Sequence, residues 1–235
     1  MSAVVQAVRP SRRQVIRNHA RFLQLSLWNR RHDLWKHDVP AEPIDVLQPG
    51  VALELRGFSI ESRSFLGEEW DRGLRSEVAA VVDRERRKVF MSSRYPFVVQ
   101  NFTGAHELGH VILHPHIDTK HREFPKDGPT VQRDWEEREA DWFASEFLMP
   151  EKQVRLEFAK RFGHMPFHLT EDMAYALCGS SIDKVMRQCR CPRDISRLLA
   201  EATMFNGSPI ISLAARFAVS SKAMAIRLNE LELIA

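Results

Sequence analysis

The chain has little cysteine, with three residues of this type among 235. A small and odd number of cysteines argues against a scaffold held by disulfides and is typical of a reducing compartment. The spacing of Cys178, Cys189 and Cys191 also matches no zinc module, because a structural zinc site needs a fourth ligand and a tighter pattern. We therefore interpret the three residues as free thiols.

Long apolar runs are missing as well. A membrane-spanning helix needs roughly 20 apolar residues, and no uncharged apolar stretch of this sequence approaches that length. The first residues lack the apolar core of a secretory signal. These absences predict a soluble, cytoplasmic protein without a membrane partner.

The sequence lacks a large excess of charge of one sign, since its formal net charge is +3. The first 36 residues are the exception, with eight basic residues and one acidic residue, Asp33. We interpret residues 1–39 as a basic helical extension. It either packs on the rest of the protein with its arginines in water, which we favour, or contacts nucleic acid or an acidic partner.

Residues 106–110 read His-Glu-Leu-Gly-His. Apolar residues recur around this motif at helical spacing, and Pro115 predicts a helix end near His114. His106 and His110 then lie one turn apart on one helix face, where their imidazoles can bind a single zinc ion. Glu107 lies beside the metal rather than among its ligands, and we predict that it is a general base.

A catalytic zinc site needs a third protein ligand, and the sequence offers two candidates. His116 has suitable spacing, but Leu113 occupies the position where the longer histidine motif needs a glycine turn. Glu137 is favoured, because Asp141 lies on the same helix face and can hold the free ring nitrogen of a ligating histidine. The alternative for this acidic run is a solvated helix face.

Residues 102–110, the pattern Glu137-x-x-Ala-Asp-x-Phe-Ala and the Phe-Leu-Met-Pro at 147–150 together resemble the ImmA/IrrE family of metallopeptidases. The resemblance covers about residues 40–150 and 208–235. It implies that His106, His110 and Glu137 are zinc ligands and that Glu107 is the general base. It also implies a regulatory peptidase that makes a specific cut in a helix-turn-helix transcriptional repressor, in stress response or mobile-element regulation.

The expected fold class is α+β. The expected architecture is a zincin-like metallopeptidase domain with a small antiparallel sheet and a predominantly helical C-terminal half. Four segments are predicted: the extension 1–39, the catalytic domain 40–150, a helical insertion 151–207 that is atypical of the family, and closing helices at 208–235. The insertion is a natural place for substrate or partner specificity, and a scaffold role fits it equally well.

Residues 77–82 and 88–92 are rich in β-forming residues and predict a hairpin directly before the motif helix. We expect Val89 to Ser93 to lie near bound peptide, because extended substrates pair with strands that border such clefts. A donor for the reaction's oxyanion is also expected. The candidates by residue type are Tyr95, His114, His116, His121 and Tyr175. His114 is the best placed of them, but for each one we favour ordinary packing or surface exposure.

Residues 211–231 resemble a helix-turn-helix, in which Lys222 and Arg227 could face DNA phosphates. The same stretch also fits ordinary closing helices, which we favour. The rival to a peptidase is therefore a non-catalytic DNA- or protein-binding regulator that retains a zinc site.

Overall fold

The computed structural model describes residues 10–71, 74–116, 121–123, 135–163, 165–189 and 191–235, with the backbone alone at 69–71, 74–76, 121–123, 188 and 192. The helices in these ranges are α1 Arg12–Asn29, α2 Arg31–Leu34, α3 Pro49–Leu55, α4 Phe97–Leu113, α5 Trp135–Leu148, α6 Glu151–Phe162, α7 Glu171–Cys178, α8 Ile182–Gln188, α9 Pro192–Glu201, α10 Leu213–Arg216 and α11 Ser221–Glu230. The strands are β1 Ser59–Arg63, β2 Glu68–Asp71, β3 Leu74–Glu77, β4 Ala80–Asp83, β5 Lys88–Ser92, β6 His121–Glu123, β7 Met204–Phe205 and β8 Ser208–Pro209. The predicted α+β class is confirmed. No helix in the described ranges has both the length and the apolar content to cross a membrane.

The main sheet has four strands in the order β1-β5-β4-β6. Strand β4 runs antiparallel to both β5 and β6, but β1 pairs with β5 in parallel. The sheet is therefore mixed rather than purely antiparallel as predicted. Strands β2, β3 and β4 separate β1 from β5 in the chain. Because these strands intervene, β5 can run in the same direction as β1.

Strands β4 and β5 form the predicted hairpin directly before α4, with Val82 opposite Val89. Strand β5 is an interior strand, because β1 occupies its other edge. The next residue, Ser93, donates its backbone N–H to the Arg63 carbonyl. An extended peptide thus cannot pair with the main chain of β5, and the expectation that Val89 to Ser93 receives substrate in this way is wrong.

Helices α4 and α5 pack against each other across the centre of the molecule. Leu108 of α4 and Phe143 and Phe147 of α5 have no exposed surface, and burial of each such side chain contributes about 1.5–3 kcal/mol. Helix α4 ends at Leu113, with His114 as its C-cap, as the position of Pro115 predicts. Helices α4 and α5 carry His106, His110 and Glu137, the residues predicted as metal ligands.

Helix α1 packs on α5 through one apolar stripe. Ile16, Ala20, Leu23 and Leu27 are buried along it at the spacing of one helix face. Ser11 caps the helix by accepting a hydrogen bond from the Gln14 N–H. In the described part of the basic extension, residues 10–39, α1 is therefore packed on the rest of the protein.

The C-terminal half shares its core with α4 and α5. Phe158 and Phe162 of α6, Phe167 and Leu199 belong to the same buried cluster as Phe143. A smaller cluster of Ala174, Val185 and Cys189 lies between α7 and α8. The segment 151–207 thus contributes to the central packing in addition to forming its own local core.

Helices α10 and α11 form the pair that resembles a helix-turn-helix, with Ser220 capping α11. Arg227 does not face solvent: only 3% of it is exposed. Its guanidinium donates to the Met149 carbonyl and to the Glu146 carboxylate. The disfavoured alternative, in which Arg227 faces DNA phosphates, is contradicted, because α11 turns this side chain toward the end of α5.

Candidate metal centre

Helix α4 places the three motif side chains in the interior. His106 and Glu107 have no exposed surface, and His110 is 2% exposed. Because the histidines are four residues apart, they project from one face of α4, and their Nε2 atoms lie 3.0 Å apart. Glu107 follows His106 on the same buried turn.

Helix α5 completes a three-residue cluster by supplying Glu137. Its carboxylate oxygens lie 3.3 Å from His106 Nε2 and 3.2 Å from His110 Nε2. One ligand atom from each residue lies within 4.8 Å of the other two. Two imidazole nitrogens and a carboxylate oxygen are a donor set that suits a divalent transition metal such as zinc. The residues present therefore fit a metal ion.

The close approach of α4 and α5 depends on Gly109, the fourth residue of the motif. A Cβ atom there would lie 3.0 Å from Ala140 Cα and 3.2 Å from the Ala140 carbonyl oxygen. These are backbone atoms of a packed helix, so they cannot rotate away. Gly109 lets α5 come near enough for Glu137 to reach both histidines.

The outward ring nitrogen of His106 contacts Asp141. Its Nδ1 lies 2.8 Å from Asp141 Oδ1, and Asp141 is one turn beyond Glu137 on α5. If Nδ1–H donates to this carboxylate, the lone pair of Nε2 is directed at Glu137 and any metal there. Asp141 occupies the place predicted for it from the sequence.

The outward ring nitrogen of His110 has a different environment. Its Nδ1 lies 3.1 Å from Nδ1 of His114, and His114 Nε2 lies 3.0 Å from Glu139 Oε2. Arg12 of α1 donates to both oxygens of Glu139, from Nε at 2.6 Å and from Nη2 at 2.5 Å. Arg84 donates to the His110 carbonyl at 2.8 Å, which anchors the last turns of α4.

Glu139 is a buried carboxylate with 1% of its side chain exposed. The hydrogen bond from Arg12 is the largest effect on the pKa of Glu139, and it lowers this pKa. Burial raises the pKa, the hydrogen bond from His114 lowers it, and the net pKa is below its ordinary value. Glu139 is therefore an ionised acceptor inside the protein. The interpretation of this acidic run as a solvated face is wrong for Glu139, although Glu136 is exposed.

The candidate donors for the reaction's oxyanion differ in burial and in hydrogen-bond partners. His114 is buried and both of its ring nitrogens have partners, which agrees with the ordinary packing that we favoured for each candidate and not with a role as the donor. The Tyr95 hydroxyl donates to the Glu77 carbonyl, and burial raises its pKa. Tyr175 is 70% exposed. The side chain of His121 lies outside the described residues.

His116 does not join the cluster, because the described metal-binding group consists of His106, His110 and Glu137. It lies in an exposed turn just after α4. The structure thus brings together the predicted ligand set that contains Glu137 rather than the one that contains His116. Sequence reasoning missed the contact of Arg12 with Glu139, because the two residues are 127 positions apart and no local pattern indicates it.

Comparison with known proteins identifies one family. Residues 71–166 match the family model of the IrrE N-terminal-like domain, peptidase M78. The matched range contains α4 and α5 entire, and it confirms the resemblance to the ImmA/IrrE family. It also runs past Pro150 into α6 and the residues after it. No curated protein and no solved structure matches the chain.

Proposed function

We propose that the protein is a zinc-dependent endopeptidase, from the match of residues 71–166 to the IrrE N-terminal-like peptidase domain. The observation that carries the proposal is the convergence of His106, His110 and Glu137 beside a buried Glu107. A purely structural zinc site closes with four protein ligands and has no use for a positioned base. The three ligands and the adjacent carboxylate instead suit hydrolysis.

The residues have separate tasks in this mechanism. His106, His110 and Glu137 would hold the metal, which when bound supplies Lewis acidity toward water and the scissile carbonyl. Glu107 accepts the proton of the attacking water and later delivers it to the leaving amine. Asp141 keeps His106 in the tautomer whose Nε2 lone pair faces the ligand cluster.

The proposed substrate is a protein, cut at a specific place. The family resemblance supports a helix-turn-helix transcriptional repressor as the substrate, in stress response or mobile-element regulation. The proposed compartment is the cytoplasm, supported by the free thiols of Cys178, Cys189 and Cys191. Direct DNA binding receives less support, because Arg227 is engaged with Glu146.

The test is a proteome-wide comparison of protein termini in cells that express wild type or Glu107→Gln. The substitution removes the base and keeps the size of the side chain. The expected result is a new terminus that appears only with wild type, while both purified proteins carry equal amounts of zinc. Equal termini patterns in the two cultures, with zinc bound in both, would favour the non-catalytic regulator.

A further inference from the structure

A continuous line of contacts runs from His110 to the surface of α1. It passes through His114 and the 1% exposed side chain of Glu139, and it ends at Arg12, whose side chain is 48% exposed. The four residues come from three helices or their ends, and Arg12 is 127 residues from Glu139 in the chain. Arg12 also lies outside the range that matches the peptidase family.

Each contact in this line has one donor and one acceptor when His110 binds a metal through Nε2. The neutral His110 ring then carries its proton on Nδ1 and donates to the Nδ1 lone pair of His114. His114 in turn carries its proton on Nε2 and donates to Glu139. The Glu139 carboxylate accepts from His114 and from Arg12. The arrangement is consistent only with this direction.

We propose that Arg12, Glu139 and His114 form a positioning relay that holds the His110 ring in its metal-binding orientation and tautomer. The inference rests on the proposed metal centre. It makes the N-terminal helix a part of that centre, with Arg12 as a positioning residue that touches neither substrate nor metal. Outer partners of ligating histidines typically change metal affinity by about 10–100-fold when they are removed.

The negative charge of a buried carboxylate must be balanced by hydrogen-bond donors or an opposite charge, and Arg12 provides both for Glu139. Two charge-assisted hydrogen bonds from one guanidinium are a strong way to stabilise it. Without Arg12, His114 is left as the remaining donor that the structure shows for Glu139. An uncompensated buried charge is strongly unfavourable, so Glu139 would draw water or shift position and release the His114 ring.

The alternative is that Arg12 only fastens α1 to α5. The chain offers a matched control, since Arg17 lies on the same helix, is 45% exposed and pairs with Glu146 of α5. Helix α1 also has anchors that do not involve Arg12. Gln24 donates to the Glu146 and Phe147 carbonyls, and the Arg13 guanidinium lies 4.4 Å from the centre of the Trp142 ring.

The test compares wild type with Arg12→Gln, Arg12→Lys and Arg17→Gln. Each purified protein is stripped of metal, its thermal unfolding is recorded, and its zinc affinity is measured by competition with a coloured chelator. The visible spectrum of the cobalt-loaded protein reports the geometry of the ligands. We expect Arg12→Gln to bind zinc about 10–100-fold more weakly with an altered cobalt spectrum, Arg12→Lys to recover part of the affinity, and Arg17→Gln to match wild type.

Two results would overturn the inference: a wild-type zinc affinity and cobalt spectrum in Arg12→Gln, or an equal loss of affinity in Arg17→Gln. Glu139→Gln, which preserves side-chain size, gives a second test at the buried end and should also weaken zinc binding. If the wild type itself binds no zinc, the proposed metal centre fails together with the relay. If wild type binds zinc and the Arg12 and Glu139 variants bind it with the same affinity, the relay fails and the metal centre stands.

Discussion

His106 and His110 lie at nearly equal distances from Glu137, 3.3 and 3.2 Å, but their outward nitrogens are held in different ways. His106 contacts Asp141, a carboxylate that is 28% exposed and lies on the same helix as Glu137. His110 contacts His114, which is buried and linked through Glu139 to another helix. The outward contact of His106 therefore involves α4 and α5 alone, and that of His110 depends in addition on the packing of α1.

Glu137 faces both histidines, so its removal should have the largest effect on zinc binding. Glu137→Gln removes the carboxylate that faces both histidines. We expect loss of stoichiometric zinc, measured by elemental analysis of the purified protein, and loss of peptidase activity. Glu136→Gln on the exposed neighbour and His116→Ala should both retain zinc. Retention by Glu137→Gln together with loss in His116→Ala would restore the histidine as the third ligand.

Gly109→Ala should disturb both histidines at once, because it forces α4 and α5 apart. The added Cβ would lie 3.0 Å from Ala140 Cα, and overpacking of this kind costs about 1–3 kcal/mol. Urea unfolding should show this destabilisation, and zinc affinity should fall. The control is Gly50→Ala, where the nearest atom is Ile60 Cδ1 at 3.6 Å. A fully stable Gly109→Ala protein would mean that the helices do not meet so closely.

Asp141→Ala should affect the His106 side alone. Loss of the hydrogen-bond acceptor leaves the Nδ1 proton of His106 without its partner, and we expect zinc affinity to fall by about 10–100-fold. Asp141→Asn keeps an oxygen that can accept this hydrogen bond, so it should lose less. Chelator competition measures both variants. Equal affinities of wild type and Asp141→Ala would show that the ring of His106 is held by packing instead.

The His106 side of this comparison was predictable from the sequence. The five-residue motif and the spacing of Glu137 and Asp141 are short-range patterns on two helices, and both were read from the chain. Arg12 and Glu139 are far apart in sequence, so nothing local connects them. The parallel pairing that makes β5 an interior strand, and the turn of α11 that buries Arg227, likewise depend on how distant elements pack.

The smallest effect concerns Glu157, a buried carboxylate that serves as a control for Glu139. It is paired within its own helix, to Lys160 at 2.7 Å and Arg161 at 2.6 Å. Burial raises the pKa of Glu157, but the hydrogen bonds from Lys160 and Arg161 together lower it by more. The pKa therefore lies below its ordinary value of 4.5. This group therefore stabilises the fold above about pH 4.5 and loses that contribution as the pH falls through the lower folded-state pKa.

Urea unfolding of the metal-free protein at pH 6 and at pH 4 measures this contribution. Wild type should lose more stability between the two pH values than Glu157→Gln does. The substitution should leave zinc affinity unchanged, because no contact links Glu157 to the described ligand cluster. An identical loss of stability in the two proteins would contradict the lowered pKa.

X-ray absorption at the zinc edge of the purified protein is the decisive measurement for the proposed metal centre, since it reports the atoms bound to the metal. We expect two imidazole nitrogens at about 2.0–2.1 Å, with oxygen completing the shell, and the same spectrum in Glu107→Gln. Sulfur at about 2.3 Å would exclude this centre, because it would place the metal at the cysteines rather than between α4 and α5.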